Sequence, residues 1–283
     1  MTASSERVTA GPGLRSALWL PLVDELADPS LVARLAADAE AAGWDGVFVW
    51  DQLSWSAPVS RIADPWITLA AIAAATERVR IGPMVTPLAR RRPTKLARET
   101  VTLDRLSGGR LTLGVGVGSD RFAREFSRTG EQPDDRIRAE MLDEGLKILA
   151  KAWSGEPVRH RGRHYVVDDL LLLPKPAQRP GVPVWAGGLP GHVKPMRRAA
   201  GLDGFVPANL TDSEQLAEIV FTIKALRRPD ATAFDFAVAL PVGVDPQPFA
   251  AAGATWWLPE FEPGVRLDLV LGFLRDGPAD REV

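Results

Sequence analysis

The sequence contains no cysteine, which excludes a disulfide framework, a zinc–thiolate site and a cysteine nucleophile. Its three histidines, at 160, 164 and 192, show no metal-ligand spacing. With no HExxH and no carboxylate-rich helix face, no metal is expected. No G-x-S-x-G elbow occurs, so serine-hydrolase chemistry has no support. Nor is there an excess of one charge. The 34 basic residues face 36 acidic ones, for a formal net charge of −2, and a nucleic-acid partner is not expected. No apolar run is long enough to span a bilayer, so no membrane partner is expected. The opening stretch MTASSERVTAGPG has neither a basic start nor an apolar h-region, so it does not read as a secretory signal. These absences predict a soluble, cytoplasmic protein whose residues 1–13 form a frayed tail.

What is present is an alternation of short apolar strands and amphipathic helices. The 283 residues are enough to bury a large core without covalent staples. Leu14–Leu20 reads as a first strand, and Asp28-Pro29 then opens a helix with an N-cap aspartate and proline at the first helical position. Gly46–Trp50 is a continuous apolar strand that runs into Asp51-Gln52. Asp64-Pro65 opens the next helix, and Val79–Val85 follows as a strand. Thr94–Ser107 is helical, Leu111–Val115 is the fourth strand, and Asp134–Trp153 is a long helix. Residues 154–181 break the rhythm as a long insertion loop, of the kind that forms either a binding wall or a surface connection. The alternation resumes with Val182–Ala186, a short helix after Pro195, and Gly204–Val206. A helix capped by Thr211 and Glu214 comes next, then Phe234–Leu240, a short helix at Pro248–Ala252, Ala254–Leu258 and a last helix at Val265–Arg275. Eight strands each followed by a helix predict a single α/β domain over residues 14–283, a (β/α)8 TIM barrel. An open doubly wound sheet is the alternative. Both place ligands at the carboxyl ends of the strands.

Those strand ends carry Trp19, Asp51-Gln52, Thr86, Gly114 to Ser119, Gly187-Gly188, Pro207 to Asn209 and Glu260. Most are glycine, polar or aromatic, whereas the strands are apolar. Gly114-x-Gly116-x-Gly118 suggests a dinucleotide fingerprint, but the third glycine falls on Ser119 and the unit is the fourth strand rather than the first, so a Rossmann site is rejected. The glycines instead allow a ligand to approach bare backbone. Gly187-Gly188 reads either as a tight turn or as a phosphate contact through backbone N–H groups. The tryptophans at strand ends would suit the walls of a site for a flat aromatic ligand.

Three segments together resemble the luciferase-like oxidoreductase superfamily. They are LARETVTLDRLSGGRLTLGVGVG with Glu125, Phe126, Gly130, Arg136 and DEGLKILAKAW after it; VPVWAGGLPGHVKPMRRAAGLDGFVP; and GVFVWDQL. The resemblance runs from Leu14 to about Val206 and is specific as a set. It implies a homodimeric (β/α)8 barrel using a reduced flavin-type cofactor. That cofactor would be coenzyme F420 for hydride transfer to or from a small organic substrate. The alternatives are FMN for a monooxygenase, fed by a separate flavin reductase, and a barrel that binds flavin without turnover. By this resemblance Val85 and Thr86, at a non-proline cis peptide, approach the ring. Gly116, Val117 and Gly118 contact ring or tail, and Ala186, Gly187 and Gly188 contact phosphate. Asp51 and Gln52 stand at the catalytic position, with Trp19, Trp55, Ser119 and Asn209 shaping the substrate pocket. Two departures stand out. Gln52 replaces the histidine of many relatives and cannot act as a general base, and Ser119-Asp120 replaces the glutamate of the sugar-phosphate dehydrogenases.

Overall fold

The computed structural model describes residues 13–228 and 233–278, so all but Gly13 of the expected tail lies outside the described residues. Eight strands run parallel: β1 (Arg15–Leu20), β2 (Gly46–Val49), β3 (Arg80–Pro83, continued as Thr86–Pro87), β4 (Leu113–Gly116), β5 (Val184–Gly188), β6 (Gly204–Pro207), β7 (Asp235–Pro241) and β8 (Trp256–Glu260). The two halves of β3 are the two ends of the strand order, and Ile81 also pairs with Leu111 in parallel, so the sheet closes on itself. Outside it lie α1 (Pro29–Ala41), α2 (Pro65–Ala75), α3 (Pro93–Leu106), α4 (Asp135–Ser154), α5 (Val193–Ala199), α6 (Ser213–Leu226), α7 (Gln247–Ala251) and α8 (Leu267–Asp276). This is the expected (β/α)8 barrel.

The caps explain where the helices begin. Asp28 accepts from the Ser30 N–H, Asp64 from the Ile67 N–H, and Asp134 from the Arg136 and Ile137 N–H groups. Each satisfies amides that the helix itself leaves without partners. Two expectations shift. The cap of α6 is Asp212, which accepts from Gln215 N–H at 2.8 Å, while the Gln215 side chain reaches back to the Thr211 N–H at 3.2 Å. The Thr211–Glu214 box is therefore displaced by one residue. Helix α5 starts at Val193, ahead of Pro195 rather than after it, because a proline fits the first turn, where its missing N–H is not needed.

Strand alternation sorts side chains between two cores. Val47, Val49, Leu113, Val115, Val184, Ala186 and Trp257 point outward into the shell shared with the helices. Ala17, Phe48, Trp185, Val206, Ala237, Trp256 and Leu258 fill the barrel itself. Phe48, Trp185 and Trp256 contact one another with ring centroids 5.5, 5.9 and 5.6 Å apart and plug its middle. Gly204 makes room for this plug, since a Cβ there would lie 2.3 Å from the Trp185 ring. The lower end is closed by the Arg15–Asp235 ion pair, with the Arg15 guanidinium 4.4 Å over the Trp256 ring, and by Arg80 bonded to Thr112. Among the described residues these groups occupy the lower end, which directs a ligand to the upper, carboxyl-terminal end.

The excursion over residues 154–181 is built around an antiparallel ribbon, Val158–Arg161 against Val166–Leu170. Glu144 on α4 accepts from the N–H groups of Arg163, His164 and Tyr165, and Asp104 on α3 accepts from those of Ala177 and Gln178. The ribbon's turn thus docks on α4, and residues 177 and 178 tie the returning segment to α3.

Candidate functional site

Three loops meet at one side of the mouth, and a buried arginine joins them. Asp51 ends the β2 segment, Arg90 follows β3, and Glu125 sits in the loop after β4. The Arg90 guanidinium donates to Asp51 Oδ1 at 2.7 Å, to the Asp51 carbonyl at 2.9 Å, and to Glu125 Oε2. Asp51 Oδ2 also accepts from Thr86 Oγ1 and Arg91 Nη2, both at 2.8 Å. Glu125 Oε1 accepts from the N–H groups of Leu53 and Ser54. The side chains of Asp51, Glu125 and Arg90 are 2, 3 and 8% exposed, so this network is shielded from solvent. Alternation explains its position. Val47 and Val49 face the outer shell, and Asp51 shares their parity, behind the barrel wall rather than in its mouth. The signal in the sequence is the run Arg90-Arg91-Arg92 close after a strand, cations that can pair with buried carboxylates.

The mouth itself is lined by aromatic and small residues. The Trp19 indole N–H donates to the Met84 carbonyl at 2.8 Å. The peptide between Met84 and Val85 is cis, one residue before the expected Val85-Thr86 position. Val85 is packed against the barrel interior and lies between two glycines. A Cβ on Gly116 would fall 2.8 Å from Val85 Cγ2, and one on Gly187 would fall 3.2 Å from Val85 Cγ1. From Trp19 a row of rings runs outward: Trp19–Trp50 at 5.3 Å, Trp50–Trp55 at 5.5 Å, and Trp55–Phe122 stacked at 5.0 Å and 11°. Phe122 was not foreseen. Gly116, Gly187 and Gly188 belong to paired strands rather than to loops, with Gly116 opposite Pro87 and Gly187 opposite Val206.

Of the expected cofactor contacts, then, Val85, Gly116 and Gly187 converge on the mouth. Thr86 is buried and bonded to Asp51. Ala186 faces the outer shell, and a Cβ on Gly188 would meet Pro195 and Phe205. Gly118 has φ 75°, with its Cβ direction filled by Phe126 and Pro87. The carbonyls of Val117 and Gly118 accept from Arg138, a fully buried α4 residue whose guanidinium lies 4.1 Å over the Phe126 ring. Arg138, four residues after its cap Asp134 and aimed back at the β4 loop, is a second locking residue that charge counting did not single out.

The polar candidates divide in the same way. Gln52 and Trp55 are half-buried, while Ser119 and Asn209 are exposed, Asn209 with φ 56°. Ser119 Oγ accepts from the Arg121 N–H. Asp120 accepts from the Phe126 and Ser127 N–H groups. Despite some desolvation, these donors hold its carboxyl below the usual carboxylate range. Both side chains of the Ser119-Asp120 pair therefore serve their own turn. Among the described residues no group of three or more His, Cys, Asp or Glu could hold a metal, and no helix is long and apolar enough to cross a membrane.

A profile of the luciferase-like monooxygenase family matches residues 8–261. Among curated relatives, the F420-dependent glucose-6-phosphate dehydrogenase of Kineococcus radiotolerans is 33% identical over 185 residues, which are 63% of this chain and 52% of the relative. A protein of the same name from Tsukamurella paurometabola is 30% identical over 246 residues, 82% of this chain and 70% of the relative. The chain spans about half the length of several curated relatives it matches. Among solved structures, an F420-dependent secondary alcohol dehydrogenase in complex with an F420–acetone adduct superposes with a TM-score of 0.69 at 24% identity, covering 82% of this chain and 70% of that one. The oxygenating constituent of 3,6-diketocamphane monooxygenase from Pseudomonas putida, in complex with FMN, superposes with a TM-score of 0.67 at 19% identity, covering 82% and 68%. At these identities the structures share the fold.

Proposed function

The chain belongs to the luciferase-like monooxygenase family, and from that premise we propose that it is an oxidoreductase that seats a flavin-type ring in the barrel mouth. Its reaction in this reading is hydride transfer between coenzyme F420 and a small organic substrate. The observation that carries the reading is the arrangement around Val85. This apolar side chain is flanked by Gly116 and Gly187, with Trp19 and Trp50 beside it. Together they offer a flat, water-poor seat for a fused ring, where aromatic faces contribute packing beyond area alone. The Trp50 indole N–H is buried and has no partner among the described residues, which leaves a donor free for a ring substituent. A bound deazaflavin would supply or accept the hydride. The residues of the chain orient it, exclude water and present the substrate.

In this reading Asp51 acts through Arg90, Arg91 and Thr86. It is a positioning residue that fixes the β3 loop, and it is not a proton acceptor. Gln52 can hold a substrate by donating and accepting hydrogen bonds but cannot take its proton. Trp55 and Phe122 form the outer wall, with Ser119 and Asn209 at the rim. Because Ser119-Asp120 serves its own turn, the substrate is assigned as something other than a sugar phosphate. The protein would act in the cytoplasm as a homodimer.

The test is a titration of the purified protein with F420 and, separately, with FMN, followed by tryptophan quenching. F420 quenching with a Kd in the micromolar range supports the proposal. Tighter FMN binding moves the assignment to a monooxygenase served by a separate flavin reductase. If neither binds below about 1 mM, the scale of weak binding, the reading is overturned. Binding without turnover across a carbonyl and alcohol panel would make the protein a flavin-binding barrel without catalysis.

A further inference from the structure

We infer that Glu260 is the proton-exchanging group of the barrel mouth, taking up a proton when a ligand fills that mouth and presenting the ligand with a neutral carboxyl donor. This rests on the reading of the mouth given above and assigns its missing ionisable group.

The placement comes from strand geometry. Glu260 is the last residue of β8, and Trp256 and Leu258 on the same strand fill the barrel interior, whereas Trp257 faces the outer shell. With a period of two, Glu260 falls on the inward parity, one layer above Leu258. Its partners in register are Trp19 on β1 and Pro241 on β7. Glu260 therefore adjoins the tryptophan that bonds to the Met84 carbonyl beside Val85.

Elimination points the same way. Asp51 and Glu125 are consumed by Arg90, Arg91, Thr86 and backbone amides. Asp120 caps its own turn, and Gln52 has no proton to exchange at neutral pH. Glu260 stays accessible at the mouth, and among the described residues neither an ion pair nor a hydrogen bond to its carboxylate is seen. The charge that acts on it is its neighbour Glu262, also negative, while Trp19 and Pro241 carry none. Partial burial and then Glu262 push its carboxyl above the usual range. A ligand that covers it without bringing a cation strengthens the first effect, so filling the mouth favours the neutral form. A neutral carboxyl donates to an acceptor such as a carbonyl oxygen, which makes neutral carbonyl compounds the favoured substrate class and disfavours cationic amines.

The sign follows from linkage. Affinity is highest at low pH and falls as pH rises through the free-state pKa, levelling off above the bound-state pKa. Each unit between those two values is about a tenfold loss. The experiment measures Kd by tryptophan quenching for FMN and for F420 between about pH 5 and pH 8, with the wild-type protein and E260Q in parallel. Cofactor phosphate ionisation is common to both proteins and cancels in their ratio. Calorimetry in two buffers of different ionisation enthalpy then counts protons taken up. The expected result is a wild-type Kd that rises with pH about tenfold more than that of E260Q, with net proton uptake in the wild type alone. E260D should restore part of the pH dependence. If either cofactor binds and E260Q has the pH dependence and proton uptake of the wild type, the assignment to Glu260 is overturned while the reading of the mouth stands. If neither cofactor binds, that reading fails and takes the assignment with it.

Discussion

Replacing Arg90 with methionine removes one guanidinium and disconnects three loops at once. Asp51 keeps Thr86 and Arg91 as donors, so most of the loss falls on Glu125. Glu125 is left as a carboxylate with two backbone N–H partners and no cation. Breaking a buried ion pair by removing one partner is destabilising by about 3–5 kcal/mol, because the remaining charge stays desolvated. For a domain somewhat above 150–250 residues, each kcal/mol lowers Tm by roughly 2–4 °C, so R90M should melt roughly 6–20 °C below the wild type. Adding E125Q removes the stranded charge, and R90M/E125Q should recover about 1–3 kcal/mol relative to R90M, a coupling that only residues in contact show. Urea unfolding at neutral pH gives the energies. The amplitude of tryptophan fluorescence reports separately on Trp55, whose loop Glu125 holds through Leu53 and Ser54. A change in stability below about 0.5 kcal/mol for R90M, the range of ordinary surface substitutions, would refute the network. So would strict additivity of R90M and E125Q.

Gly116→Ala places a Cβ 2.8 Å from Val85 Cγ2 and should destabilise by about 1–3 kcal/mol, as overpacking does; G116A/V85A should restore stability while weakening cofactor quenching, which separates packing from binding. For Glu144, desolvation works to raise the pKa, but the His160 bond and the Arg163, His164 and Tyr165 N–H groups outweigh it and hold the carboxyl below the usual range. A depressed folded-state pKa contributes stability above the unfolded value and loses it as pH falls through the folded one. E144Q should therefore be less stable than the wild type at pH 7 by up to about 1 kcal/mol, because the hydrogen-bonded set is partly exposed and screened by solvent, and the gap should close on acidification in parallel urea titrations. Asp134→Ala removes the acceptor for the Arg136 and Ile137 amides and should lower the denaturation midpoint with an unchanged m-value, as loss of an N-cap does.

Helix starts were legible because they are local. Asp28-Pro29, Asp64-Pro65 and Asp134 each cap the helix they announce, since the side chain that stops the preceding loop also satisfies the first free amides. Strand ends were less legible, for a reason specific to barrels. Leu113–Gly116 and Val184–Gly188 run through glycines that sequence reading takes as stops. Gly116 and Gly187 remain in the sheet because Val85, distant in sequence, fills the space their missing side chains leave. A residue required by a neighbour on another strand leaves no local trace. The same nonlocality governs the site. Asp51 was expected at the catalytic position after an apolar strand, yet one step of alternation separates Trp50, tilted against its neighbours in the aromatic row, from Asp51, held by Arg90 behind the wall. Glu260 lies on the opposite parity and, among the described residues, has no ion pair or hydrogen bond to its carboxylate, whereas Asp51 is held by Arg90, Arg91 and Thr86. Strand phase, fixed by which neighbours fill the barrel, therefore decides which carboxylate holds a loop and which can meet a ligand.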